Sequence, residues 1–238
     1  RRQKGVDKAR QQRAQQDVRR ALEHDAEERD KEVTGGAGSR KGGEEHGVGS
    51  NIDFAAALFR LINPLGYKNY VTEIGPVSAR QVNHLLRESD AQTAFEAFYQ
   101  KYPFSVPFAW MQEEVELLKA VAQNAHEKDD EPVIGIDQEF IFSPQFHFER
   151  LHAMCADPAL KTMLEGWLKA EQQAYVDMQN GVSPDKLSVF MNLPLPTGWQ
   201  ELRSWFQAHH ADEALAILDA VQASHVIYRH YVNEEYYD

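Results

Sequence analysis

The 238-residue chain is 42% hydrophobic and contains 12 Phe, 9 Tyr and 4 Trp, which suffices for a core and excludes a wholly disordered protein. Its formal net charge is −12, and the charges are unevenly distributed. Residues 1–50 hold 12 basic and 10 acidic side chains, whereas residues 51–238 hold 13 basic and 27 acidic ones. Because such an acidic body repels phosphate backbones, we expect it to bind no nucleic acid. The one cysteine, Cys155, excludes an internal disulfide and a cysteine-based zinc site.

The first 50 residues differ in composition from the rest. Residues 1–20 carry eight basic and two acidic side chains, and residues 21–32 reverse this with six acidic and two basic ones. Residues 33–50 contain seven glycines, which is typical of a flexible linker. We therefore predict a charged arm at 1–32 that is helical or disordered, a Gly-rich linker at 33–50 and an α-helical globular domain at 51–238.

Removing the arm and the linker should leave the domain folded. Residues 1–32 offer only Val6, Val18 and Leu22 as larger apolar side chains, so few apolar contacts are lost with them. We expect deletion of residues 1–50 to change the free energy of unfolding by less than about 1 kcal/mol, as measured by urea unfolding. A large fall in melting temperature would show instead that the arm is docked on the domain.

Apolar periodicity predicts a mainly α fold from residue 51, with a first helix at 52–62 and a short strand near 70–74. Ser-x-x-Gln segments beginning at Ser78 and Ser89 have the form of capping boxes. They predict the starts of two helices, which run over residues 78–87 and 89–101. The apolar face predicted for the first helix consists of Phe54, Leu58, Leu61 and Ile62.

A longer helix is predicted to follow, because Pro107 suits the first turn of a helix and the pattern continues to about His126. Three apolar residues share one face of this helix, whereas three glutamates lie largely off it. The apolar residues are Leu117, Leu118 and Val121, and the glutamates are Glu113, Glu114 and Glu116.

The second half of the domain contains the predicted β element. Residues 133–142 are rich in β-branched and aromatic side chains, so we predict one small strand or hairpin there. Helices are predicted at about 145–155, from the Asp157-Pro158 cap to Asn180, from Thr197 to about 209, and at 211–233. In the last helix, spacings of four and three residues predict a buried stripe of Ala214, Leu218, Val221, His225, Tyr228 and Val232.

Residues 147–155 contain the side chains best suited to catalysis. Glu149-x-x-His152 is a spacing that helical di-iron proteins use in two copies, and this chain has one such copy. If His147, His152 and Cys155 converged, they would form a thiol nucleophile with its base. An inert buried thiol is the simpler interpretation, because no cysteine-hydrolase signature surrounds Cys155. A helical enzyme with a His/Glu/Cys site at 147–155 is one alternative function.

The segment 95–110 holds seven aromatic side chains in sixteen residues, more than a short helix and turn can point inward. Pro103 and Pro107 require an extended or turning chain, which leaves some of these rings accessible. Exposed aromatic rings mark binding surfaces, and two tyrosines near the chain end lie beyond the last periodic helix. The side chains predicted to face a protein partner are Phe104, Phe108, Trp110, Tyr236 and Tyr237.

The sequence has no phosphate-binding loop and no nucleophile motif, which favours a non-enzymatic interaction or assembly domain that binds protein partners. We expect no cofactor and no bound metal. We also expect a cytoplasmic location, as a soluble subunit or the cytoplasmic portion of a larger complex. Because Arg1-Arg2-Gln3-Lys4 is typical of sequence beside a membrane span, membrane attachment would occur through a segment upstream of it. A further alternative is nucleic-acid contact through the basic residues 1–20.

Overall fold

The computed structural model describes residues 49–109, 111–123, 131–181, 188–191 and 194–232, and this part of the chain is mainly α-helical, as predicted. The predicted arm and linker lie outside it apart from Gly49 and Ser50, which begin the first helix. The helices are α1 Gly49–Ile62, α2 Pro76–Leu86, α3 Ala91–Lys101, α4 Gln112–Ala122, α5 Pro144–Met154, α6 Pro158–Gln179, α7 Trp199–Ala208 and α8 Asp212–Val232. Within the described ranges, no helix is both long and apolar enough to cross a bilayer.

A small sheet pairs two strands, β1 Tyr70–Thr72 and β2 Val133–Gly135. The Tyr70 N–H donates to the Pro132 carbonyl (2.7 Å between N and O). Further along both strands, the Ile136 N–H donates to the Thr72 carbonyl (3.3 Å). Because both partners advance in the same direction along the chain, the strands are parallel. The short strand predicted near 70–74 is confirmed.

The strand β2 is shorter than the element predicted at 133–142. It ends at Gly135, where a Cβ atom would overlap the backbone carbonyl oxygen of Ile74. After this close approach the Asp137 N–H donates to the same carbonyl (3.1 Å), and the Glu139 side chain is completely buried. The chain leaves the sheet here because it packs against the segment that leads into α2.

The chain divides into two compact units. Of the described residues, the first unit contains 49–70, 111–123 and 131–133, and the second contains 71–109 and the residues from 134 onward. In the first unit α1 packs against α4. In the second unit α5 packs against α6 and α8, α7 packs against α8, and α2 packs against α3 and α8.

The buried face of α1 differs from the predicted one. Ala56, Ala57 and Phe59 are buried, whereas Leu58 is exposed. The two small alanines allow a close approach to α4, so packing distance rather than side-chain size selects this face. The other predicted side chains, Phe54, Leu61 and Ile62, are half-buried. On α4 the predicted apolar face is confirmed, since Leu117, Leu118 and Val121 are buried.

The buried stripe predicted for the last helix is confirmed on α8 for the members whose side chains the structure describes, while the side chain of Val232 lies outside them. Ala214, Leu218, Val221 and His225 are all buried, and Tyr228 is half-buried. The apolar members of this stripe belong to the core of the second unit, together with side chains from α5, α6 and α7. The spacing of apolar residues therefore identified the packed face of this helix correctly.

Several helix starts differ from the predicted ones. The cap of α2 is Gly75 rather than Ser78, which lies inside the first turn. The cap of α3 is Asp90, whose carboxylate accepts from the Thr93 N–H (3.2 Å), rather than Ser89. In both cases the N–H groups at the helix start bind a carboxylate, which is a stronger acceptor than a hydroxyl. The carboxylate belongs to Glu139 at α2 and to Asp90 at α3.

Two further helix starts were predicted too early in the chain, and one was predicted correctly. The helix expected to begin near Pro107 begins at Gln112, and Glu114 bends back to accept from the Met111 N–H (3.1 Å). This capping role explains why Glu114 is buried, although it was predicted to lie off the apolar face. The start of α7 follows Gly198 rather than Thr197. The predicted cap at Asp157 is confirmed, because its carboxylate accepts from two backbone N–H groups at the start of α6.

Candidate functional site

The loop at residues 102–109 follows α3 in the second unit and contains two of the predicted partner-facing residues. The Ser105 Oγ donates to the Tyr102 carbonyl (2.7 Å), and the Tyr99 hydroxyl donates to the Val106 carbonyl (3.0 Å). Ser105 and Val106 are completely buried. These two small residues therefore anchor the loop to the unit.

Phe104 and Phe108 flank this buried pair, and both have a left-handed backbone, with φ of 55° and 58°. This conformation costs a bulky residue about 1–2 kcal/mol. Phe104 is nevertheless 48% exposed, and Phe108 is half-buried. The loop thus buries its small side chains and leaves a large ring accessible, the reverse of the usual preference.

The Phe104 ring lies beside Tyr175 of α6, with 6.3 Å between the ring centroids. Tyr175 also makes an edge contact with the buried Phe142 (5.6 Å between centroids). The next residue of α6, Val176, is 46% exposed. We call Phe104, Tyr175 and Val176 the aromatic patch. It is an accessible apolar surface that contacts a core ring through Tyr175.

The other aromatic residues of the segment 95–110 have a different role. Phe95 and Phe98 are buried, and Phe98 makes an edge contact with Phe146 of α5 (5.5 Å between centroids). Tyr102 is half-buried against the same ring (6.1 Å). These rings fill the core. The remaining predicted partner-facing residues, Trp110, Tyr236 and Tyr237, lie outside the described residues.

A buried carboxylate lies at the N-terminus of α2. The Glu139 Oε1 accepts from the Val77 N–H (2.7 Å), and its Oε2 accepts from the Ser78 hydroxyl (2.5 Å) and lies 3.0 Å from the His147 Nε2. The Glu139 N–H donates to the Ser224 hydroxyl of α8 (2.8 Å). We call Glu139, Ser78 and His147 the carboxylate cluster. Its bonds connect α2, α5 and α8.

The environment of Glu139 favours the ionised form. Burial alone raises the pKa of its carboxyl, but the charge of His147 and the hydrogen bonds from His147, Ser78 and Val77 outweigh burial and hold the pKa below its ordinary value. The positive end of the α2 dipole acts in the same direction. All three side chains of the cluster are completely buried, and their hydrogen bonds join the helices.

Gly75 is the residue that lets Glu139 reach the end of α2. A Cβ atom at this position would overlap the carboxyl group of Glu139. Pro76 then occupies the first helical position, where its missing N–H is not needed. Gly75 and Pro76 therefore present the helix N-terminus to a carboxylate that is distant in sequence.

The candidates for catalysis at 147–155 have separate partners. The Lys101 ammonium pairs with Glu149, and the His152 Nε2 lies 3.3 Å from the Glu165 Oε1. The Cys155 Sγ donates to the Asp157 carbonyl (3.8 Å), and burial raises the pKa of this thiol. A thiolate nucleophile requires the opposite shift.

Among the residues that the structure describes, no group of three or more His, Cys, Asp or Glu side chains is placed to hold a metal ion. No family model, curated protein or solved structure matches the chain. Evidence on function therefore comes from the arrangement of its own side chains.

A second buried carboxyl belongs to Glu171, which is 3% exposed on α6. Its Oε1 accepts from the Val189 N–H (2.6 Å). Burial raises the pKa of Glu171 to about 7, although the bond from the Val189 N–H and the nearby Ser188 hydroxyl act in the opposite direction. This carboxyl exchanges its proton near neutral pH.

Neither Glu139 nor Glu171 was identified from the sequence, although the sequence contains an indication of the role of each. At Gly75-Pro76 a helix begins without a local polar cap, which indicates a distant acceptor. Glu171 follows the buried Leu160 and Leu164 by eleven and seven residues, spacings that place it on the same face of α6.

Proposed function

We propose that the second unit is a non-enzymatic protein-interaction domain whose partner-facing surface is centred on the aromatic patch. The observation that carries the proposal is the loop at 102–109, which is firmly anchored yet keeps Phe104 half exposed with a left-handed backbone. Such strain persists only where the surrounding structure imposes it, and it concentrates at functional sites.

Stability of the unit does not explain this geometry. A glycine at position 104 would adopt the same φ without steric cost, and a polar side chain would suit a half-exposed position. An aromatic ring, by contrast, supplies a large rigid contact area to a partner at low entropic cost. Aromatic residues are also enriched among the side chains that dominate binding energy.

The extent of the surface and its setting are part of the same proposal. Phe108 lies in the same anchored loop with the same backbone conformation, which supports its inclusion. Trp110, Tyr236 and Tyr237 are proposed on their sequence positions alone. The domain would act as a cytoplasmic subunit or portion of a larger complex.

The test compares two exposed aromatic residues in the full chain. A photo-reactive phenylalanine analogue is placed at Phe104 or, as the matched control, at Tyr67, which is 62% exposed in the first unit. Cross-linking in cells at Phe104 should give one discrete product, which is then purified. Phe104→Ala should weaken binding of this product by about thirtyfold or more, as expected for a side chain that dominates an interface.

The two variants should behave differently in binding but similarly in stability. Tyr67→Ala should leave the affinity within about twofold, and both variants should keep melting temperatures near that of the wild type, because both rings are accessible. If the products at Phe104 and Tyr67 are the same, or if Phe104→Ala binds as tightly as the wild type, the aromatic patch is not the partner-facing surface.

A further inference from the structure

We propose that Glu171 is a pH-dependent switch for the aromatic patch: its ionisation releases the turn at 188–191 from α6 and thereby loosens the support of Phe104. The inference rests on the proposed function in that the patch is taken to be the binding surface. It predicts that binding is stronger below neutral pH than above it.

The geometry around Glu171 is unfavourable for a charge. The carboxyl is almost completely buried, and one of its oxygens, Oε1, accepts from the Val189 N–H (2.6 Å). The other oxygen, Oε2, is also buried and has no hydrogen-bond partner among the described residues. An ionised carboxyl in this position needs further donors, and water supplies them only if the turn that covers the carboxyl moves away.

Among the residues that the structure describes, no charged side chain offsets this cost. The groups that favour the ionised form are the Val189 N–H and the Ser188 hydroxyl. On α6 the titratable group one turn away is Tyr175, whose hydroxyl accepts from Gln179 (2.8 Å). On the segment that Ser188 contacts, the titratable groups are Asp137 and Glu139, and Glu139 is held in the carboxylate cluster. On α8, Tyr228 stacks against Phe190 of the turn (5.4 Å between ring centroids).

A continuous set of contacts joins this carboxyl to the patch. The Ser188 Oγ donates to the Ile141 carbonyl (2.8 Å), and the next residue, Phe142, packs edge-on against Tyr175. Tyr175 lies one turn beyond Glu171 on α6 and contacts the Phe104 ring. When the turn at 188–191 moves, Ile141 loses its hydrogen bond and Phe142 its fixed position, so the contact between Tyr175 and Phe104 loosens.

The direction of the effect follows from proton linkage. The folded state favours the protonated form of Glu171, because burial raises its pKa to about 7. The stabilisation of the closed turn is therefore complete below the unfolded pKa of about 4.3 and is lost as pH rises through about 7. Between these two pKa values a single-proton linkage increases opening by at most about tenfold per pH unit, and above about pH 7 the increase levels off.

The test uses NMR on the isolated full chain, with labels on backbone amides and phenylalanine rings, between pH 5.5 and 8.5. In the wild type, the Val189 amide and the Phe104 ring should shift with one common midpoint. The hydrogen-exchange protection of the Val189 amide should fall by up to about tenfold per pH unit as pH rises toward this midpoint, and it should level off above it. In Glu171→Gln, both signals should remain at their low-pH positions throughout.

Two further variants complete the experiment. Ser188→Ala removes a group that favours the ionised carboxyl and also the hydrogen bond that couples the turn to Ile141, so the Val189 transition should move to higher pH while the Phe104 ring no longer follows it, which provides a test even if Glu171→Gln folds poorly. Glu165→Gln, an exposed change on the same helix, should leave both transitions unchanged. The switch is refuted if, in the wild type, the Val189 amide shows no transition or the Phe104 ring does not share it. It is also refuted if the Phe104 ring still shows the transition in Glu171→Gln. Because no partner is needed, a failed binding test would refute the patch as an interface without affecting this result.

Discussion

Replacement of Glu139 by alanine is expected to lower the free energy of unfolding of the second unit by about 3–5 kcal/mol. The change removes the acceptor for the Val77 N–H and the Ser78 hydroxyl and leaves the His147 Nε2 without its partner. Each buried polar group left unpaired costs about 1–3 kcal/mol, and the cavity adds to this. Urea unfolding followed by circular dichroism measures the difference.

The loss of unfolding free energy caused by Glu139→Ala should depend on pH. Because the pKa of Glu139 is held below its ordinary value, its contribution to stability is present above the unfolded pKa of about 4.3 and is lost as pH falls through the folded pKa. The difference between wild type and Glu139→Ala should therefore be largest near neutral pH and should shrink in acid. A constant difference over this range would mean that the ionised carboxylate is not what stabilises the cluster.

Two other variants separate this effect from the general cost of removing a glutamate. Glu149→Ala removes a partly exposed carboxylate that pairs with Lys101, and it should cost about 1 kcal/mol or less. Gly75→Ala keeps the carboxylate but displaces it, because the new Cβ would overlap it, and should destabilise clearly more than Glu149→Ala. If all three variants have similar stabilities, the cluster contributes no more than an ordinary surface pair.

Much of the fold was predictable because its signals are local. The stripe on α8 repeats at helical spacing, and the Asp157-Pro158 cap lies directly beside the N–H groups that it satisfies. The predicted buried face of α1 was wrong for a physical reason. Leu58 is larger than Ala56 and Ala57, but the close approach of α4 favours the small residues.

The carboxylate cluster was not predictable in the same way. Glu139 caps a helix that begins about sixty residues earlier, and its own N–H is bound by a side chain 85 residues later. Local spacing assigned the cap of α2 to Ser78, which in fact donates to Glu139. The composition of the segment 95–110 indicated a surplus of rings, but only tertiary packing decides that Phe95 is buried and Phe104 is exposed.

Replacement of Leu218 by aspartate should unfold the second unit almost completely. Leu218 is completely buried in the core on α8, between Ala214 and Val221 of the same stripe. Truncation of a buried leucine alone costs about 2–5 kcal/mol, and the unpaired carboxylate adds several more. A total above about 5 kcal/mol equals or exceeds the stability of many domains. The expected result is a loss of helical circular dichroism and of the cooperative urea transition at neutral pH.

The matched control is Val226→Asp on the same helix. Val226 is 43% exposed, so its replacement introduces the same charge into α8 without burying it. Aspartate and valine have similar helix propensities, and the proximity of the negative C-terminal end of the helix costs only a few tenths of a kcal/mol. We expect Val226→Asp to remain folded, with a loss below about 1 kcal/mol. If Leu218→Asp and Val226→Asp are tolerated equally, α8 is not packed through the stripe that contains Leu218, and the core of the second unit must be built differently.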